Sequence, residues 1–220
     1  MNLNSQPLRT SHVAFTQRRR ADISTQQRWL ALLLWGGATL LAVVLSPPLS
    51  AADRSALLYL IALHSISVLC SVRLPGGVHT GLINTSLTTA ALILGYRRAL
   101  LVAPIAVVIA APVVLLVTTI VPSLRRSRAM IAFDALWQSA AVTLSLLPTG
   151  WLYEQLGGWT IALPAAGVGA YLGMIGFIVL HFILTTLLVS AWLALSGIQP
   201  RRYWASYGRI FVANGLLATV

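Results

Sequence analysis

Between Arg73 and Pro122 two apolar segments stand back to back, Leu82 to Leu94 and Ala99 to Val121, with only Gly95-Tyr96-Arg97-Arg98 between them. The second is uncharged throughout and long enough, at roughly 20 residues per crossing, to traverse a bilayer. Uncharged runs also cover Trp29 to Leu45, Ser55 to Val72 and Ile161 to Leu195. A water-soluble domain has no interior for so much apolar chain. The runs predict an all-α, polytopic membrane bundle, in which each helix satisfies its own backbone polar groups. With 58% hydrophobic and 9% charged residues, the composition agrees.

Charge supplies an orientation. The formal net charge is +11, every basic residue is Arg, and most arginines flank apolar runs instead of lining a helix alongside stacking aromatics. That pattern argues for membrane orientation and against a nucleic-acid partner. Residues 1–28, with Arg9, Arg18, Arg19, Arg20 and Arg28 against Asp22, read as a disordered basic cytoplasmic tail ahead of a membrane domain over 29–220. The expected spans are 29–46, 55–72, 80–95, 99–121, 129–147 and one long crossing within 161–195. Residues 210–220 begin a seventh too short to cross, which reads as a truncation. With the amino terminus inside, twelve arginines face inward and only Arg54, Arg97 and Arg98 outward. A re-entrant 80–95 would move Arg125, Arg126 and Arg128 outside, so a true crossing is preferred. The expected location is a bacterial inner membrane with the amino terminus cytoplasmic.

Prolines and aromatics refine the boundaries. Pro47-Pro48 should end the first span, and Asp53-Arg54 should cap the loop before the second. Pro104 and Pro112 should kink 99–121. Residues 148–160, with Glu154, Trp151, Tyr153 and Trp159, should form an outward loop with interfacial rings. One cysteine, Cys70, allows no disulfide within the chain.

Polar residues inside the spans are the candidate functional groups. His64, Ser67 and Ser71 share one helical face, suited to a ligand or proton path or to hydrogen bonds between helices. Thr80, Asn84 and Thr88 recur every fourth residue on a short, Gly-preceded segment flanked by Thr85, Ser86 and Thr89. Such a stripe survives at membrane depth only when buried in protein or lining a cavity. Asp134, with Gln138, Ala141 and Ser145 on the same face, is costly inside a span, at roughly 2.5–3.5 kcal/mol for the helix centre, and so needs a partner or a task. His181, with Thr185 one turn on, reads either as a packing residue or as a ligand. Asn84, Thr88, Asp134 and His181 are the expected lining of a binding site, with no metal and no cofactor. Gly169 to Gly173 is a small-xxx-small pattern that permits close helix contact or a bend.

Enzyme motifs are missing: there is no His-Glu-x-x-His, no Gly-x-Ser-x-Gly and no phosphate loop, so no catalytic activity is expected. The succession Val72-Arg73-Leu74-Pro75-Gly76-Gly77, Leu82-Ile83-Asn84-Thr85-Ser86-Leu87 and Ala91-Leu92-Ile93-Leu94-Gly95-Tyr96-Arg97-Arg98-Ala99 resembles the multi-span amino-terminal regions of bacterial cyclic-di-GMP signalling proteins. Phe182 to Val189, then Gly197 and Tyr203-Trp204, is similar to the last spans of those regions. The resemblance implies a sensory or anchoring membrane region that precedes an HD-GYP or GGDEF output domain, of which no motif occurs here. The expected partners are the lipid bilayer, a second copy of the chain, and a cytoplasmic output domain or protein. The alternative is the substrate-binding subunit of an energy-coupling-factor vitamin transporter, which the short polar segment, the Pro-kinked helices and the six-span core also resemble; such a subunit would need an ATPase partner, for whose contact Gly169 to Gly173 is a hint.

Overall fold

Ser24 starts the first helix. Its hydroxyl accepts the Gln27 backbone N–H at 3.2 Å, and the Gln27 side-chain oxygen accepts the Ser24 N–H at 2.8 Å, a reciprocal cap. The computed structural model describes residues 24–69, 72–73, 79–80, 83–120, 128–156, 168–197, 199–201 and 204–205. Helix α1 is Thr25–Leu45, so Arg28 is helical and not part of a disordered tail. Helix α2 is Ala51–Leu69. It begins with the same device: the Asp53 N–H donates to the Ser50 hydroxyl, and the Ser50 N–H and hydroxyl donate to the Asp53 carboxylate at 3.2 and 2.6 Å. Asp53 therefore lies in the first turn of α2, not in the preceding loop.

The stretch after α2 departs from the expected span 80–95. Strands β1, Val72–Arg73, and β2, His79–Thr80, pair antiparallel with Val72 opposite Thr80. Thr80 is thus extended and shares no helical face with Asn84 and Thr88. Helix α3, Ile83–Leu94, has 12 residues, about 18 Å at 1.5 Å per residue, well short of a bilayer core of about 30 Å. Gly95 then adopts φ 79°, a left-handed turn that suits glycine, and leads into the single-turn α4, Tyr96–Ala99. Helix α5 is Val102–Ile120, with Pro112 in its interior. Pro104 falls in its first turn, where a missing N–H breaks no helical bond.

Helix α6, Arg128–Gln155, continues through Pro148. Trp151, Tyr153 and Glu154 are accordingly helical, where a loop was expected. Helix α7, Val168–Leu195, is one unbroken helix. Four stretches are long and apolar enough to cross a membrane: Thr25–Leu45, Ala51–Leu69, Tyr96–Val113 and Tyr171–Leu195. Six complete crossings were expected. Among the described residues α3 is too short for one, and α6 is long enough but carries Asp134, Gln138, Ser139, Thr143, Ser145 and Thr149. The begun seventh span at 210–220, the 1–23 tail, Cys70, Ser71, the Pro75-Gly76-Gly77 turn, the 122–127 loop and residues 157–167 lie outside the described residues.

Size sorts the residues from outside to inside. Trp29, Leu33, Leu40, Val44, Leu58, Leu116 and Leu187 are exposed, whereas Ala31, Ala38, Ala42, Ala90, Ala91, Ala99, Ala103, Ala106 and Ala110 are buried. Large apolar side chains outside and alanines at the helix contacts are the arrangement of a bundle bathed in lipid.

Two ends are defined by side-chain contacts. At one, Arg98 reaches Asp53 at 3.2 Å and Arg97 reaches Glu154 at 3.0 Å, which joins α4 to the start of α2 and the end of α6. At the other, the Gln27 side-chain amide donates to the Leu195 carbonyl, which joins the start of α1 to the end of α7. Successive long helices therefore alternate in direction, and α3 and α6 both run toward the ion-paired end.

Candidate functional site

The α6 face predicted to carry Asp134, Gln138, Ala141 and Ser145 meets α7 through two of its members. The Trp192 indole N–H donates to Asp134 Oδ1 at 2.8 Å, and the Trp192 ring stacks on Trp137 with centroids 4.7 Å apart. Asp134 is therefore held by a structural partner. It lies beyond the first turn of α6 as described, outside the reach of the helix dipole. Ala31 of α1 joins Trp137, Ala141 and Trp192 in one cluster, so three helices converge around the aspartate.

Further along the same face, Ser145 contacts α7 twice. Its hydroxyl lies 3.0 Å from His181 Nδ1 and 2.7 Å from the Thr185 hydroxyl, and it donates to the Val142 carbonyl at 3.0 Å. All three side chains are buried. If the serine proton goes to the carbonyl, the serine oxygen accepts from His181 and Thr185, and His181 Nε2 is left as a bare acceptor. His181 Nε2 is buried with no hydrogen-bond partner in either tautomer. The imidazole stacks on Phe177 at 6.2 Å, and Phe177 stacks on Tyr153 at 5.3 Å. Gly173 of the small-xxx-small motif meets Tyr153 as well, so part of that motif is used within the chain.

A second pair repeats the chemistry across α2 and α3. His64 Nδ1 lies 2.7 Å from the Ser86 hydroxyl, both buried. Ser67 donates to the Leu63 carbonyl of its own helix, as Thr89 does to Thr85. His64 thus bridges helices while its predicted companion Ser67 serves its own backbone. At 1.5 Å per residue, His64 lies about 16 Å along α2 from Asp53, and Ser145 about 14 Å along α6 from Glu154. Both histidine–serine pairs therefore occupy one level, near the middle of a bilayer-sized bundle.

The four predicted lining residues fall at separate stations. Thr88 and Asn84 lie on α3, roughly opposite Ser86 by helical arithmetic; Thr88 is buried, and the Asn84 side-chain oxygen is buried without a partner. His181 stands at mid-depth on α7, and Asp134 about 16 Å farther toward the α1–α7 junction. The sequence reading missed Ser139, Thr143 and Trp192. A face drawn through Asp134 and Ser145 cannot show that Ser139 and Thr143 are buried on another side of α6. Trp192 carries a donor, the one available hint that it would answer an intramembrane acid.

Among the described residues no three His, Cys, Asp or Glu side chains stand together as metal ligands would. No protein-family model matches the chain, and no curated protein or solved structure is significantly similar to it.

Proposed function

We propose that the chain is the sensory or anchoring membrane region of a bacterial signal-transduction protein, without catalytic activity of its own. It would cross the inner membrane six times, with residues ahead of α3 completing that crossing and the start of α1 cytoplasmic. The observation that supports this best is the junction of α1 and α7. The end of α7 is bonded to the start of α1 through Gln27, and the indole of Trp204, beyond α7, donates to Ser190 at 2.7 Å. Arg28, Arg128 and Arg201 flank the helix ends on this side, which by the positive-inside tendency faces the cytoplasm. A rearrangement of the Ser145–His181–Thr185 contact would tilt α7 against α6 and move its end against α1, where a cytoplasmic domain or partner could read it.

The test joins the catalytic domain of a diguanylate cyclase after Val220 and replaces Gln27 and Leu195 with cysteine in a Cys70→Ser background. Closing the pair with a bis-maleimide in membrane vesicles should change product formation by about fivefold or more, the scale of an ordinary allosteric coupling. A change no larger than in the single-cysteine controls would rule out the sensory reading. Orientation is checked separately with single cysteines at 54 and 154 or at 24 and 201. An impermeant maleimide should label the first two in spheroplasts and the other two only after lysis.

A further inference from the structure

Many hydroxyls within these helices bond the carbonyl one turn back. Thr39 donates to Trp35, Ser65 to Ile61, Thr149 to Ser145, Thr186 to Phe182 and Ser190 to Thr186, all within 2.7–2.8 Å. Ser139 and Thr143 do not. Both are buried, Thr143 at 0% exposure, and neither hydroxyl has a hydrogen-bond partner. A buried hydroxyl that forgoes its own backbone is unfavourable unless something else answers it.

Their place on α6 indicates where the hydroxyls lie. Ser139, Thr143 and Gly150 fall within about 20° of one line along the helix. At Gly150 that line passes under Tyr96 of α4, whose side chain would overlap a Cβ there. The stripe thus faces the α3–α4–α5 side of the bundle, away from α7. Ser139 lies about 16 Å along α6 from the Tyr96–Gly150 contact, and Asn84 about as far from Tyr96 along α3, which runs parallel to it. Of the other buried polar atoms without a partner, His181 Nε2 lies on the α7 side of α6, whereas the Asn84 side-chain oxygen lies on α3 at about this depth. Residues Leu87, Ala91, Val142 and Leu146 of the two helices share one apolar cluster around this level.

We propose that Asn84, Ser139 and Thr143 form a mid-depth binding position for a small uncharged hydroxylated guest between α3 and α6. The side chains supply one carbonyl acceptor and two hydroxyls that can each give and take a hydrogen bond. None is charged, and the arginines of α4 are a full half-bundle away, so the site would not hold an ion. Water and a short polyol share this chemistry. The proposal deepens the sensory reading by giving it a ligand class, but it needs only that the seam be closed to bulk solvent; the cyclase fusion could fail while the site stands.

The experiment is thermal unfolding of the full chain in nanodiscs, for wild type, Thr143→Val, Ser139→Ala and Thr143→Ser, with and without millimolar erythritol. Thr143→Val keeps the shape and removes only the hydroxyl. It should lower Tm by about 2–4 °C, the shift expected for loss of about one hydrogen bond in a chain of this size. Ser139→Ala should do the same, and Thr143→Ser should retain whatever response to erythritol the wild type shows. A Tm rise with erythritol in wild type and Thr143→Ser, absent in Thr143→Val, identifies a polyol as the guest. The same Tm losses without an erythritol response identify water. If Thr143→Val and Ser139→Ala leave Tm unchanged or raise it, the hydroxyls answer to nothing and the proposal is overturned.

Discussion

Two antiparallel helix pairs, α2–α3 and α6–α7, each hold a histidine against a serine of the partner helix at nearly the same depth. They differ in what surrounds the bond. His64 and Ser86 join a full-length helix to one of 12 residues that follows the β1–β2 pair. His181 and Ser145 join two helices of 28 residues, with Thr185 bonded to the same serine and Phe177 and Tyr153 stacked in series beyond the imidazole. The first is a clasp between two side chains; the second is a network spread over several turns. The same pair of residues thus carries different weight according to how many neighbours depend on it.

The largest effect should come from the opposite side of α6, where Gly150 admits Tyr96. Gly150→Leu would drive a side chain into the Tyr96 ring, an overpacking that costs about 1–3 kcal/mol or more. Tyr96 would leave its seat and α4 would lift from α6, so the α6–α7 pair would lose its backing while α2–α3 kept its clasp. Unfolding of Gly150→Leu, Tyr96→Ala and the double variant measures this. The double variant should recover much of the loss; strictly additive losses would mean that the ring and the glycine are not coupled.

Next in size is Ser145→Ala, which leaves His181 Nδ1 and the Thr185 hydroxyl both without their shared partner. Interhelical hydrogen bonds in membranes average about 0.6 kcal/mol and reach about 1.7. Two lost together should approach the upper figure, measured as the free energy of unfolding in detergent of graded strength. Ser86→Ala removes one such bond, to His64, and should fall near the average. Equal losses in the two variants would erase the distinction between network and clasp.

The sequence shows unequal amounts of the two pairs. The long apolar runs predicted α1, α2, α5 and α7 because lipid imposes length and hydrophobicity on any helix that crosses it. Asp134 and Ser145 on one α6 face and His181 with Thr185 on α7 were legible as helical periodicities. That the two faces meet is a tertiary fact with no local signature. Starts and stops were harder. Ser24-Thr25-Gln26-Gln27 has the spacing of a capping box, yet its polar residues read as tail. Pro148 suggested an end, but proline removes only one ladder bond, and the Thr149 hydroxyl adds one to the Ser145 carbonyl in the same turn. Thr80 matched the α3 period and lies instead in β2, because strand pairing with Val72 takes precedence over a spacing of four.

The smallest effect should belong to Arg97→Ala at the ion-paired end. Arg97 and Glu154 lie 3.0 Å apart with the arginine side chain half exposed, and exposed pairs contribute little because water and salt screen them. Arg98, by contrast, meets an Asp53 already fixed by Ser50, and both are more buried than the Arg97 pair. Arg98→Ala should therefore cost more than Arg97→Ala, since it also strips a partner from the cap of α2. Unfolding at about 0.01 M and about 0.15 M salt, where the screening length falls from about 30 to about 8 Å, separates the cases. The Arg97→Ala deficit should vanish at the higher salt, while the Ser145→Ala deficit stays. If Arg97→Ala matched Ser145→Ala at both salts, the α4–α6 ion pair would be holding α6 in place, and the mid-depth network would follow from that contact.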